Sequence, residues 1–294
     1  MAHALTRLPD IQLDPLRRAY AEARSAKRRQ ALLGVVILVL MIAISAWTAE
    51  VRPATLWRNI DDFFNYFIRL FFFDNGAPVW TDFGEWFWGL PDWLSQLFDT
   101  ILIAYLATLA GSIGAFFACF LAAQNLGPNP VLRSVVKRML ELCRTVPEIV
   151  FALIFVVAFG LGPVPGVLAI ALHTFGANGK LFTEVVENID MKPMEGAIAS
   201  GGSWTESIRF AVLPQVLSSF ASYALLRFEI NVRGASVMGF VGAGGIGQDL
   251  IEAIRKFYYT DVSAILLMIL LTVFVIDAGT QQLRHALLGR EDRA

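Results

Sequence analysis

The polar residues that could do chemistry in this chain are few. Four of them, Arg227, Glu229, Asn231 and Arg233, stand inside an otherwise apolar run at 212–236. Charges there cost too much in hydrocarbon to face lipid, so they should face other helices or a water-filled cavity. Glu229 and Arg233 are four residues apart and can pair on one helical face, and Arg227 and Asn231 share a neighbouring face. Lys180 and Glu184 repeat the spacing in a second apolar run. Two roles fit: lining the route of a small polar solute, or glue between buried helices that satisfies its own charges. Neither a catalytic nor a metal site is expected, because His3, His173 and His285 fall in unrelated segments without partnering carboxylates or cysteine spacing.

Two glycine-rich stretches look like phosphate loops and fail on context. Gly242-Ala-Gly244-Gly245-Ile-Gly247 satisfies G-x-G-x-x-G, but the dinucleotide fingerprint needs a preceding strand, and an apolar helix precedes it here. Gly176-Ala-Asn-Gly179-Lys180 lacks the nucleotide-loop spacing, and Leu181 stands where Ser or Thr would hold magnesium. The chain should not hydrolyse ATP itself.

The elements that position these residues must lie in a bilayer. Of 294 residues, 56% are hydrophobic and 17% charged, with a mean hydropathy of +0.58; soluble domains average roughly 45–50% and 25%. An all-α integral membrane protein is expected, with about six transmembrane helices at 31–48, 97–123, 147–163, 164–187, 212–236 and 262–283. Gly160–Gly166, with two prolines and three glycines, should divide the third from the fourth. The net charge of -1 gives no nucleic-acid signal. Cys119 and Cys143 should be packing residues.

Orientation follows from the bases. Residues 1–30 carry Arg7, Arg17, Arg18, Arg24, Lys27, Arg28 and Arg29 ahead of the first span, which lacks a cleavage pattern and should be an uncleaved signal-anchor. The positive-inside rule keeps this segment cytoplasmic, along with the loop holding Arg133, Lys137, Arg138 and Arg144 and the tail 284–294 with Arg284, Arg290 and Arg293. Residues 31–96 then combine the first span with an exterior segment. Its Trp57, Trp80, Trp86, Trp88 and Trp93 should anchor at the interface, and residues 56–73 should form a helix lying in the headgroup layer. Residues 97–283 make the core.

One cytoplasmic loop, 188–211, has unusual content. Pro193 and the residues to Ser200 read as a short helix ended by Gly201-Gly202, and Ser203 with Glu206 forms a capping box that starts another. Such a knob suits docking in a partner's groove.

In this loop the chain resembles the binding-protein-dependent ABC importer permeases. Glu195-Gly196-Ala197, Gly201, Leu213 and Pro214 match their E-A-A-x-x-x-G-(x9)-I-x-L-P signature, with Gly196 and Ala211 as departures. Arg144-Thr-Val-Pro147 looks like the family's R-[ST]-x-P start of a core helix, and Gly242–Gly247 like its segment before the last helix. Residues 144–159, 173–181 and 227–247 look most like the phosphonate-importer permeases, a subclass that also takes up phosphate or phosphite; the methionine-importer permeases are the nearest relatives of other specificity.

The resemblance implies the type I importer (MetI-like) permease fold in the bacterial inner membrane. It implies two copies of the chain around a pore, two cytoplasmic ATPase subunits that carry ATP and magnesium, and an exterior substrate-binding protein, with no cofactor in this chain. Glu195, Gly196, Ala197, Gly201, Leu213 and Pro214 would couple to the ATPase. Arg227, Glu229, Asn231, Arg233 and Lys180 are candidates for the substrate path, and Arg144, Pro147, Gly242, Gly244, Gly245 and Gly247 for gate and turn. A membrane-embedded enzyme would need a catalytic cluster, and an ion-coupled secondary transporter would have no use for the knob.

Overall fold

A computed structural model describes residues 10–126 and 129–288; His3, Arg7, Arg290 and Arg293 lie outside the described residues. Every extended element is helical, and the only β contact among the described residues is the isolated bridge between Phe72 and Pro78. In chain order the helices are α1 (Asp10–Thr48), α2 (Pro53–Arg58), α3 (Ile60–Leu70), α4 (Phe83–Trp86), α5 (Leu90–Ala122), α6 (Pro130–Thr145) and α7 (Glu148–Phe159). Then come α8 (Pro163–Glu187), α9 (Lys192–Ala199), α10 (Trp204–Ser207), α11 (Leu213–Met238), α12 (Gly247–Lys256) and α13 (Tyr259–Leu288).

The chain forms two units that divide at Asn65 and Tyr66. In the first, α1 ends at the predicted Thr48 but begins 21 residues before the apolar run, at Asp10, so its 39 residues extend about 58 Å. Its apolar side chains over 32–44 are exposed, as expected of a helix whose solvent is lipid.

In the second unit, α5 and α8 pack most extensively, and α11 lies against both and against α13. Small residues set the approach: a Cβ on Gly111 would stand 2.6 Å from the Ala171 carbonyl oxygen, so the α5 and α8 backbones touch. α6 and α7 both pack on α8 and meet at 88°, breaking at Val146-Pro147, where proline offers no N–H to continue the helix.

All six predicted spans are helical. By length and apolarity four qualify to cross a membrane among the described residues: Ala19–Thr48, Leu90–Ala122, Trp204–Val241 and Tyr259–Leu287; the bent pair α6–α7 would be a fifth. The third predicted span is only the 12 residues of α7, about 18 Å. The fourth, α8, is long enough at 25 residues but is diluted by His173, Asn178, Lys180 and three glycines after Pro165.

Two local expectations change. The basic loop after α5 is in fact α6, capped by the Asn129 side chain on the Val131 N–H with Pro130 in the first turn; it buries Val136, Leu140 and Cys143. The aromatic segment is not wholly interfacial either. Its predicted helix 56–73 is α2 and α3, and after it the chain folds back on α12 and α13: Trp86 and Trp93 are buried with Leu97, Ile246, Leu250 and Ile265. The Trp86 indole donates to Ser263 Oγ at 3.0 Å, and Trp88 donates to Asp261 Oδ1 at 3.1 Å. Trp57, Trp80 and Trp88 stay exposed, as anchors would. Cys119 and Cys143 are buried free thiols.

Candidate functional site

The knob forms as its sequence dictates. α9 ends at Ala199, and Gly201 at φ +88° turns the chain while the Gly202 N–H closes on the Ala197 carbonyl. Ser203 then caps α10: its hydroxyl accepts from the Glu206 N–H, and the Glu206 carboxylate accepts from the Ser203 N–H at 2.7 Å. The inner face of the knob buries Met194, Ile208 and Val212 against Phe120 of α5 and Phe182 and Val186 of α8. The Trp204 indole donates to the Leu126 carbonyl at 3.0 Å. The outer face is left open, with Glu195, Gly196, Ile198 and Gly201 exposed. A Cβ on Gly196 or Gly201 would meet nothing within 4 Å.

Between knob and α11, Ile208–Val212 winds as a π-helical turn in which the Leu213 N–H reaches the Ile208 carbonyl. Pro214, which has no N–H, follows directly.

Further along α11 the four polar residues separate. Asn231 is wholly buried and donates to Thr108 Oγ1 of α5 at 2.8 Å and Thr174 Oγ1 of α8 at 2.9 Å, tying three helices together. Arg233 pairs with Glu229 at the anticipated spacing, the carboxylate buried and the guanidinium half exposed. Asp277 and Arg284 of α13 stand close to Glu229. Arg227 is partly buried with the Glu148 carboxylate near it, and a Cβ on Gly234 would lie 2.6 Å from Glu148 Oε1. Glu148 thus seats the start of α7 against α11. Neither Glu148 nor Asp277 was among the residues the sequence singled out. A carboxylate directly after the Pro147 break, and another inside an apolar run, were the available signals.

Lys180 stands apart from this group. It pairs with Glu184 at 3.1 Å near the knob end of α8, in the cleft that also contains Arg144. Pro147 sits at the α6–α7 break, where the Val146 carbonyl is 3.2 Å from His173 Nδ1. The glycine turn is at the far end of α11. Gly242, Gly244 and Gly245 take φ of +78°, +87° and +81°, and Gly247 opens α12. The turn is clamped on both sides: the Gly162 N–H donates to the Gly242 carbonyl, and the Ile246 N–H to Thr100 Oγ1 at 2.9 Å. With Met238–Val241 helical before it, this turn is no dinucleotide loop.

Known proteins resemble this chain in sequence and in fold. Residues 114–288 match the family model described as binding-protein-dependent transport system inner membrane component. A phosphite transport system permease protein of Stutzerimonas stutzeri is 41% identical over 67% of this chain and 72% of its own length. A phosphate-import permease protein of Mycolicibacterium smegmatis is 39% identical over 64% of this chain and 35% of its own. Among solved structures, an inward-facing methionine ABC transporter superposes with a TM-score of 0.57 at 17% identity, over 66% of this chain and 95% of that one, a likeness of fold. The match over α5 to α13, where the knob, the break and the glycine turn all lie, shows that the chain belongs to the family of binding-protein-dependent transport system inner membrane components.

Proposed function

We propose that this chain is the pore-forming permease of an ATP-driven importer for a phosphorus oxyanion: phosphonate, phosphate or phosphite. The observation that carries the reading is the knob, which presents Glu195, Gly196 and Gly201 on a rigid, outward face with nothing packed on it. A groove on a cytoplasmic ATPase subunit is its natural complement, since a capped two-helix element docks without first being ordered. Each chain offers one knob, so two copies would engage two ATPase subunits, which hold the ATP and magnesium. The names of the relatives at 41% and 39% identity support the oxyanion class.

On this reading residues 1–30, the knob 188–211 and the tail 284–294 are cytoplasmic, 97–283 form the permease core, and the exterior part of 31–96 faces the binding protein. ATP-driven closure of the ATPase pair would rock the two knobs and open the pore outward. Along α11, Arg233 offers the oxyanion its half-exposed guanidinium while Glu229 holds it in the absence of substrate. Arg227 would serve further in, and Asn231 would keep the helices in register. The test is uptake of labelled phosphite, phosphate and a phosphonate by cells expressing the chain with its ATPase and binding protein. Vanadate-sensitive uptake, mutually competed by these anions, is the expected result; uptake insensitive to vanadate, or competed only by methionine, rejects the reading.

A further inference from the structure

A cavity of about 900 Å³ opens where the end of α3, α4 and the start of α13 come together. Aromatic rings wall it. Trp88 comes from the chain after α4, and Phe257 ends α12 in the left-handed region at φ +60°, a reversal that brings Tyr258 and Tyr259 to the cavity. Tyr259 is also the first residue of a helix long and apolar enough to cross a membrane. The cavity therefore lies at the level where hydrocarbon gives way to lipid headgroups.

Two opposite charges reach this cavity and do not neutralise each other. Arg69 is held with its Cζ 5.4 Å from the centroid of the Tyr259 ring, and it has no carboxylate partner among the described residues. Two residues beyond Tyr259, Asp261 enters the same cavity within the first turn of α13. Asp261 is only 9% exposed, yet it receives a single hydrogen bond, from the Trp88 indole to Oδ1 at 3.1 Å, and has no cation beside it among the described residues. A carboxylate so buried is ordinarily paired. Lys256 does not serve, because its ammonium is taken by Glu252 and lies 5.9 Å from the Tyr258 ring centroid. Asp74 and Glu85 add two exposed carboxylates to the lining, so the cavity favours a cationic group over a second anion. A guanidinium over Tyr259 and a buried carboxylate in the same helical turn, beside aromatic faces, fit a ligand that carries an anion and a cation a short distance apart. The carboxylate and the ring faces suit an ammonium, and the guanidinium fork suits phosphate oxygens.

We infer that this cavity binds a phosphoethanolamine group, a phosphate ester carrying a primary ammonium, presented by a phospholipid at the membrane surface. The inference is independent of the solute carried along α11. The test uses the full chain in nanodiscs of equal phosphatidylethanolamine and phosphatidylglycerol, which share the phosphate and differ in the amine. Native mass spectrometry reads the lipid retained on the chain, so the oxyanion route at Arg233 does not contribute to the signal. The parent chain should retain phosphatidylethanolamine over phosphatidylglycerol by about tenfold or more, the scale of one charge-assisted hydrogen bond. Asp261→Asn, which keeps an acceptor for the Trp88 indole, should bring that ratio to about one by removing the charge that holds the ammonium. Arg69→Gln should lower retention of both lipids and leave the preference in place. A misfolded chain would instead lose both lipids and the preference together. Displacement of the retained lipid by free O-phosphoethanolamine would identify the free group as a second source of the same ligand, and resistance to it would assign the site to the lipid. Equal retention of the two lipids by the parent, an unchanged ratio or loss of both lipids alike in Asp261→Asn, or undiminished retention in Arg69→Gln would each overturn the assignment.

Discussion

The turn of the knob and the aromatic end of the bundle are fixed by interactions of very different range. At the knob end, the turn from α9 to α10 is fixed by bonds spanning three to five residues: the Ser203–Glu206 box and the closure of the Gly202 N–H on Ala197. At the aromatic end, Trp86 and Trp88 bond across 177 and 173 residues to Ser263 and Asp261. Local closure lets the knob keep its shape while its outer face stays bare. The aromatic end has no such freedom, because Trp86 and Trp93 are part of the core they stabilise.

The comparison breaks first, and hardest, at the knob. Glu195→Lys or Gly201→Trp should abolish uptake while leaving the chain at normal abundance in the membrane. Glu195 is exposed, and Gly201 occupies a backbone conformation that suits glycine. Uptake assays at matched membrane levels check this, and wild-type transport by either variant would contradict the docking role.

At the aromatic end the same measurement should give the opposite pattern, with stability falling first. Trp86→Ala should cost about 3 kcal/mol through the cavity it leaves, and Trp86→Phe about 1 kcal/mol through the lost bond to Ser263. Thermal unfolding in detergent would resolve the order. Equal melting temperatures for both variants and the parent would mean that the aromatic end is not part of the core.

Between the two ends, Arg233→Ala should weaken oxyanion uptake several-fold and Arg233→Lys should restore it in part, because an ammonium keeps the charge and loses the fork. The single variant leaves the Glu229 carboxylate buried without its cation. If the pair serves packing alone, Arg233→Ala with Glu229→Gln should recover near-normal uptake, and double-mutant coupling of that kind would remove Arg233 from the substrate route.

The smallest effect is expected at Asp249 on α12. Burial, reinforced by Glu252 and Asp92, raises its carboxyl above the usual value. A carboxyl with a raised native value favours the fold only while protonated, so stability falls as pH rises from the ordinary value through the raised one. Asp249→Asn should therefore raise the melting temperature slightly near neutral pH, and the gain should vanish below the ordinary carboxylate range. A gain independent of pH would rule out ionisation as its cause.

What could be read from the sequence follows the same division of range. The capping box, the Gly201 turn, the Glu229–Arg233 spacing and the six helical runs all depend on neighbours within a few residues, and all are visible in the chain order. The burial of Trp86 and Trp93 is not, because a tryptophan-rich segment serves an interface or a core equally well, and Ser263 and Asp261 decide between them from far along the chain. Glu148 and Asp277 escaped for the same reason: their meaning lies in α11, which each approaches from another helix. α6 is a different case. Asn129 and Pro130 are a legible helix start, and the basic residues behind them drew the reading toward a loop.

The wide turn at Ile208–Val212 has a geometric consequence for everything beyond it. A π-turn carries one residue more than an α-turn, and one residue of helix is about 100° of rotation. The azimuth of α11 is therefore offset by about that angle from the one a continuous α-helix would give it after the Ser203 cap. Removing a single residue at Phe210 would give the backbone a more regular ladder and swing Asn231 away from Thr108 and Thr174. The helix with the better local hydrogen bonding would thus aim its polar face at the wrong neighbours.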